Sequence, residues 1–210
     1  MRTTVTMVRH GEVHNPEKVL YGRLPAFQLS ERGRRQAEVT AKFLQGRDVA
    51  AIISSPLERA VQTANPIAEW YGLPVETDHR LIESSSVFQG RRVEQGPEIL
   101  KHPYIWKHIV NPFRPSWGEA YVTVAARAVA AVQDARDAYP GREVVLVTHQ
   151  LPVWMARRAL EGRRLWHRPD RRQCALASVT SMIYEGAELG WIEYVEPNGP
   201  ASAKYGSVGS

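Results

Sequence analysis

The spacing of hydrophobic positions changes repeatedly along the chain, and each change marks an element. Thr3 to Val8 is rich in β-branched residues and runs into a polar turn, which predicts a strand. After Ser30, the positions Ala37, Thr40, Ala41 and Leu44 recur at helical spacing. Ser30 is suited to cap that helix and Gly46 to end it. Val49 to Ile53 is a short apolar run, as a buried strand requires, and Leu57 to Trp70 reads as a second helix stopped by Gly72 and Pro74. Tyr121, Ala125, Ala128, Val132, Ala135 and Tyr139 alternate by four and three, predicting a long amphipathic helix that Pro140-Gly141 terminates. Glu143 to Val147 is almost continuously apolar, the pattern of a strand covered on both faces. Pro152 is placed to open a helix that runs to Leu160, with Gly162 just beyond. Val179–Tyr184 and Trp191–Val195 read as a closing hairpin. Strands alternating with helices predict an α/β fold, a three-layer α/β/α sandwich with a mainly parallel sheet.

Residues 83–117 break the pattern. They hold Gly90, Gly96, Pro97, Pro103, Pro112 and Pro115 with Tyr104, Trp106, Phe113 and Trp117 between them. A stretch of this kind inside a domain is expected to be an irregular lid or set of binding loops over a site; a small helical insertion packed by its own aromatics is the alternative. The remainder, residues 1–196, reads as one domain, and the Pro-, Gly- and Ser-rich residues 197–210 as a flexible tail.

Composition narrows the class without naming it. A chain of 210 residues with 43% hydrophobic and 23% charged residues is expected to form a globular core. No apolar run reaches the length of a membrane span and no signal peptide is apparent. With Cys174 as the single cysteine, an intrachain disulfide and a multi-cysteine metal site are excluded, and a cytoplasmic location is expected. The net charge of +5 rests mainly on arginine, whose planar fork suits phosphate or carboxylate. Seven arginines fall between Arg157 and Arg172, but no aromatic stacking pattern accompanies them. They are expected to be a solvated face, with nucleic acid disfavoured as a partner. His102 and His108 are too isolated to suggest a metal site. The closing strand around Trp191 could form an edge that pairs two copies into a homodimer, or lie covered.

The chemistry gathers where three predicted strands end. Met7-Val8 leads into Arg9-His10-Gly11-Glu12, Ile52-Ile53 into Ser54-Ser55-Pro56 and then Arg59, and Leu146-Val147 into Thr148-His149-Gln150. Sites in open α/β sheets lie outside the carboxyl ends of the strands, so two histidines and two arginines are expected to meet there.

These segments resemble the histidine phosphatase superfamily, the phosphoglycerate mutase-like proteins. The resemblance rests on Val8-Arg9-His10-Gly11-Glu12 with Leu29-Ser30-Glu31-Arg32-Gly33, on Ser54 to Ala64, on Leu81-Ile82-Glu83 with Phe88-Gln89-Gly90, and on Val147-Thr148-His149. All four occur in the family's order, and the similarity covers about residues 3 to 195. It implies a phosphoglycerate mutase-like fold and a metal-independent phosphomonoester hydrolase, with no cofactor and a small phosphorylated metabolite as substrate. It assigns His10 as the nucleophile, Arg9 and Arg59 as ligands of the phosphoryl oxygens, and His149 as a further donor that acts when protonated beside phosphate. Glu83 is assigned as the acid for the leaving group and then the base for water; pairing with Arg80 or Arg91 is the alternative role. Asn15 is expected to offer its amide to phosphate. Two positions depart from the family: Val13 and Ala120 stand where a small hydroxyl residue is usual. A mutase is the runner-up activity, and the family's mutases are usually longer. A non-catalytic phosphate-binding protein is the third reading.

Overall fold

A computed structural model describes residues 1–92 and 118–200. The lid segment is therefore described only as far as residue 92, and the tail only as far as residue 200. His102 and His108 lie outside the described residues. The elements run β1 (Arg2–Arg9), α1 (Glu31–Leu44), β2 (Val49–Ser54), α2 (Glu58–Tyr71), β3 (Val75–Thr77), a 3-10 turn (His79–Leu81), α3 (Tyr121–Ala138), β4 (Glu143–Thr148), α4 (Gln150–Leu160), a second 3-10 turn (Pro169–Arg171), β5 (Val179–Glu185) and β6 (Glu188–Val195). Among the described residues no helix is long and apolar enough to cross a membrane.

One six-stranded sheet in the order β3-β2-β4-β1-β5-β6 organises the molecule. β3, β2, β4 and β1 run parallel to one another, while β5 lies antiparallel to β1 and forms with β6 the antiparallel hairpin expected from sequence. Because side chains alternate across a strand, consecutive residues of β4 serve opposite faces. Val144 and Leu146 pack with Val5, Met7 and Met182 under Ala128, Val132 and Ala135 of α3 and Val153 of α4. Val145 and Val147 pack with Val8 and Ile52 under Ala41 and Leu44 of α1 and Ala60, Ala64 and Ile67 of α2. This makes three layers, and it explains why β4 is apolar throughout Val144 to Val147.

The helix boundaries follow local chemistry to within a residue or two. Ser30 caps α1, its Oγ accepting from the Gly33 N–H at 3.0 Å. α4 begins at Gln150, two residues before the expected Pro152; a proline is still tolerated there because first-turn N–H groups have no intrahelical acceptor. β3 was not anticipated: three residues carry too little periodicity to be read, and Val75 to Thr77 become a strand only because β2 offers an edge. Gly33 has a packing role. A Cβ there would sit 2.0 Å from the Glu12 carbonyl oxygen, so only glycine lets the loop after β1 press onto the first turn of α1.

Candidate active site

β1 and β4 are adjacent and parallel with Arg9 opposite Thr148, so the residues that follow them, His10 and His149, emerge side by side. The His10 N–H donates to the Thr148 carbonyl at 2.9 Å, and the two rings have centroids 5.1 Å apart. β2 flanks β4 on its other side and delivers Ser55, whose N–H donates to the Val147 carbonyl and whose Oγ lies 2.7 Å from His149 Nε2. The first turn of α2 is tied to the same place. Thr63 Oγ accepts the Gly11 N–H at 3.1 Å and donates to the Arg59 carbonyl at 2.7 Å. The sheet register collects Arg9, His10 and His149, and the Thr63 tie brings Arg59 of α2 to them; all four are buried.

Each of these side chains is held at one end and unsatisfied at the other. His10 Nδ1 contacts the Gly11 carbonyl at 2.7 Å, which fixes the proton on Nδ1 and leaves the lone pair on Nε2, an atom with no hydrogen-bond partner. Arg9 donates from Nη1 to the Cys174 carbonyl at 2.6 Å, and Arg59 from Nη2 to the Gly22 carbonyl at 2.6 Å; the Nε of each lacks a partner. His149 Nδ1 and Glu83 Oε2 are likewise buried without partners. Buried polar groups are seldom left unpaired; here the two free guanidinium Nε–H donors suit an anionic ligand, while His10 Nε2 and Glu83 Oε2 are left as acceptors beside them.

The sequence relationships agree with this geometry. A family model described as the histidine phosphatase superfamily (branch 1) matches residues 5–196. The chain belongs to that superfamily. A relative, phosphoserine phosphatase 1 of Hydrogenobacter thermophilus, is 34% identical over 152 residues, covering 70% of this chain and 71% of its own. The uncharacterized protein Rv0525 of Mycobacterium tuberculosis is 55% identical over 195 residues, covering 93% of this chain and 96% of its own. Among solved structures, a mycobacterial glucosyl-3-phosphoglycerate phosphatase aligns with a TM-score of 0.72 at 28% identity, over 93% of this chain and 97% of that one. Phosphatases thus stand among both the sequence and the structural neighbours, and the relatives also include the probable phosphoglycerate mutase GpmB of Yersinia enterocolitica, 30% identical over 200 residues, covering 90% of this chain and 89% of its own.

Electrostatics separates the roles within this superfamily site. Burial, with Arg59 and Arg9 close by, holds His10 well below the ordinary histidine pKa, so the imidazole is neutral. Burial and the same arginines act on His149 in the same direction, with His10 and Arg127 adding to it. His149 is therefore neutral in the unliganded site. Glu83 is 1% exposed. Its Oε1 accepts from the Ser84 N–H at 2.8 Å. Arg80 is not its partner, because that guanidinium binds Asp78 and Asp134.

Asn15 is placed differently from the four central residues. Its Nδ2 donates to the Val19 carbonyl at 2.8 Å and its Oδ1 accepts the Val19 N–H at 3.1 Å, so the amide closes its own loop. Tyr21 is a neighbour that sequence reading missed. It is buried, with the Arg59 guanidinium carbon 4.7 Å above its ring and His10 edge-on at 6.4 Å. A tyrosine in an irregular loop carries no periodic signal that could have found it. Within the basic segment, Arg172 points inward, donating to His167 Nε2 at 2.8 Å and Gln150 Oε1 at 3.0 Å. Arg168 conforms to the solvated-face expectation, pairing with Asp170 at the surface.

Proposed function

We propose that the protein is a metal-independent phosphomonoester hydrolase that works through a phosphohistidine on His10, with a small organic phosphate as substrate. The observation that carries this reading is His10 Nε2: a neutral, buried, unpartnered imidazole nitrogen flanked by two arginines. Its attack on phosphorus forms an N–P bond as the ester P–O bond breaks. Arg9 and Arg59 neutralise the non-bridging oxygens, and His149, protonated once the phosphoryl group is bound, donates to a third. Glu83 gives its proton to the departing alkoxide. The resulting carboxylate then takes a proton from water, whose oxygen attacks phosphorus, breaks the N–P bond and releases orthophosphate. His10 returns neutral with its Nδ1 proton still on the Gly11 carbonyl. Guanidinium and imidazolium groups supply the positive charge that a metal would otherwise provide, which is why the reading needs none. Phosphatases among the relatives and solved structures support a hydrolase, but a probable phosphoglycerate mutase is also among the relatives, so the choice between hydrolysis and transfer falls to the assay.

The test is hydrolysis of a panel of phosphomonoesters in EDTA, with acid-quench trapping of phosphoenzyme. Wild-type protein should release orthophosphate and carry an acid-labile phosphoryl group, and folded His10→Ala should do neither. Turnover by His10→Ala would overturn the covalent route. Isomerisation of 3-phosphoglycerate without net phosphate release would overturn hydrolysis in favour of a mutase.

A further inference from the structure

Glu83 has to meet a leaving oxygen at hydrogen-bond distance, yet among the described residues its side chain is held by a single bond, to the neighbouring Ser84 amide. The direction of its carboxyl is therefore set by the backbone beneath it. That backbone is neither helix nor strand after Leu81. Its four consecutive carbonyls are taken, one by one, by side chains from distant elements. Arg127 of α3 donates through Nη1 to the Arg80 carbonyl at 2.6 Å and the Ile82 carbonyl at 2.5 Å. Thr148, which precedes His149, donates to the Leu81 carbonyl at 2.5 Å. Arg23 donates through Nε to the Glu83 carbonyl itself at 2.6 Å.

The two arginines are joined by one carboxylate. Glu119 receives Arg127 bidentately, Nε at 2.9 Å and Nη2 at 3.1 Å, and receives Arg23 Nη2 at 2.7 Å. Glu119 is brought there by a close approach: its N–H donates to the Ser85 carbonyl at 3.1 Å, and a Cβ on Gly118 would lie 2.4 Å from that same oxygen. The pairs are screened from water, with Arg127 and Glu119 each 14% exposed. Charge-assisted bonds of this kind are stronger and more directional than neutral ones. Arg23 follows Gly22, whose carbonyl holds Arg59. Arg23, Arg127 and Thr148 therefore register the Glu83 segment against the loop that anchors Arg59 and the strand that ends at His149.

We propose that Arg127, Glu119 and Arg23 are positioning residues that aim Glu83 at the leaving oxygen. This rests on the hydrolase reading above, with Glu83 as its acid. A carboxyl displaced by about 1 Å loses proton transfer steeply, by as much as about 10²-fold. The loss falls on esters whose leaving group needs a proton. An alkyl phosphate such as glycerol 3-phosphate expels a basic alkoxide, whereas p-nitrophenyl phosphate expels a stable phenolate.

The experiment measures the phosphorylation step by rapid quench with both esters, in wild type, Glu83→Gln, Arg127→Met, Arg127→Lys and Arg23→Met. Arg23 is only part-buried, so Arg23→Met keeps the test open if Arg127→Met does not fold. Both methionine variants should lose about tenfold or more with the alkyl ester and about threefold or less with the aryl ester, reproducing the selectivity of Glu83→Gln. Arg127→Lys, which keeps a donor for one carbonyl, should recover part of the alkyl rate. Equal losses on both esters, or no loss, in folded Arg127→Met and Arg23→Met would overturn the positioning role while leaving the hydrolase reading intact. Absence of any phosphoenzyme in wild type, or equal losses on both esters in Glu83→Gln, would remove the hydrolase reading or its acid, and this inference with it.

Discussion

Acid should weaken this fold through its site histidines, and the size of the effect follows from their burial. His10 and His149 are fully buried and held neutral, well below the ordinary histidine pKa. In the unfolded chain each imidazole titrates near pH 6.5, passing from about 9% to about 91% protonated between pH 7.5 and 5.5. The unfolded state therefore binds protons that the folded state refuses, so stability is complete above pH 6.5 and is lost as pH falls below it. Over that interval the cost is about 1.4 kcal/mol for each histidine, or about 2.7 kcal/mol for the pair. His10→Gln removes one of the two titrations. The assay is urea unfolding of both proteins at pH 7.5 and 5.5 in a buffer free of phosphate, since a bound anion would let His149 keep a proton. Wild type should lose about 1.4 kcal/mol more than His10→Gln across the interval. His167, lowered to about 4 chiefly by burial, stays neutral in both proteins and cancels from the comparison. Equal losses in the two proteins would mean that His10 is protonated in the native state, which would refute its role as a nucleophile with a free lone pair.

Three further outcomes test the packing and the anion site. Arg59→Met should lower kcat/KM for the best phosphomonoester by about 10²–10³-fold, equivalent to the loss of one donor to developing charge; a change below twofold would return Arg59 to a scaffold role under Tyr21. Gly33→Ala should cost about 1–3 kcal/mol in chemical denaturation, because its Cβ would press on the Glu12 carbonyl; an unchanged midpoint would show that the loop relaxes freely. Ile52→Ala should cost about 2–5 kcal/mol, since Ile52 is fully buried between β4 and the α1–α2 layer, and a loss under 1 kcal/mol would show the core closing over the cavity.

What the sequence determined was local or periodic. Helices α1, α2 and α3 and strands β1, β2, β4 and β5 were legible because burying one face imposes a period on neighbouring residues; Ser30 marks the start of α1 through a bond made within a turn, and Gly46 its end through a positive φ. His10, Arg59 and His149 were legible because each stands at or just after a strand end, where a parallel sheet gathers its chemistry. The tertiary structure alone decided the rest. Val75–Thr77 is a strand by virtue of its neighbour β2. The Asn15 amide, expected to be offered to phosphate, bonds Val19, a choice between partners that spacing does not encode. Tyr21 lies under Arg59 through a loop with no period. The bonds that hold Glu83 join Arg23, Glu119 and Arg127, which are 96 and 8 residues apart along the chain. A hydrogen bond depends on position and direction to a few tenths of an ångström, and for residues so far apart those are properties of the assembled sheet and helices.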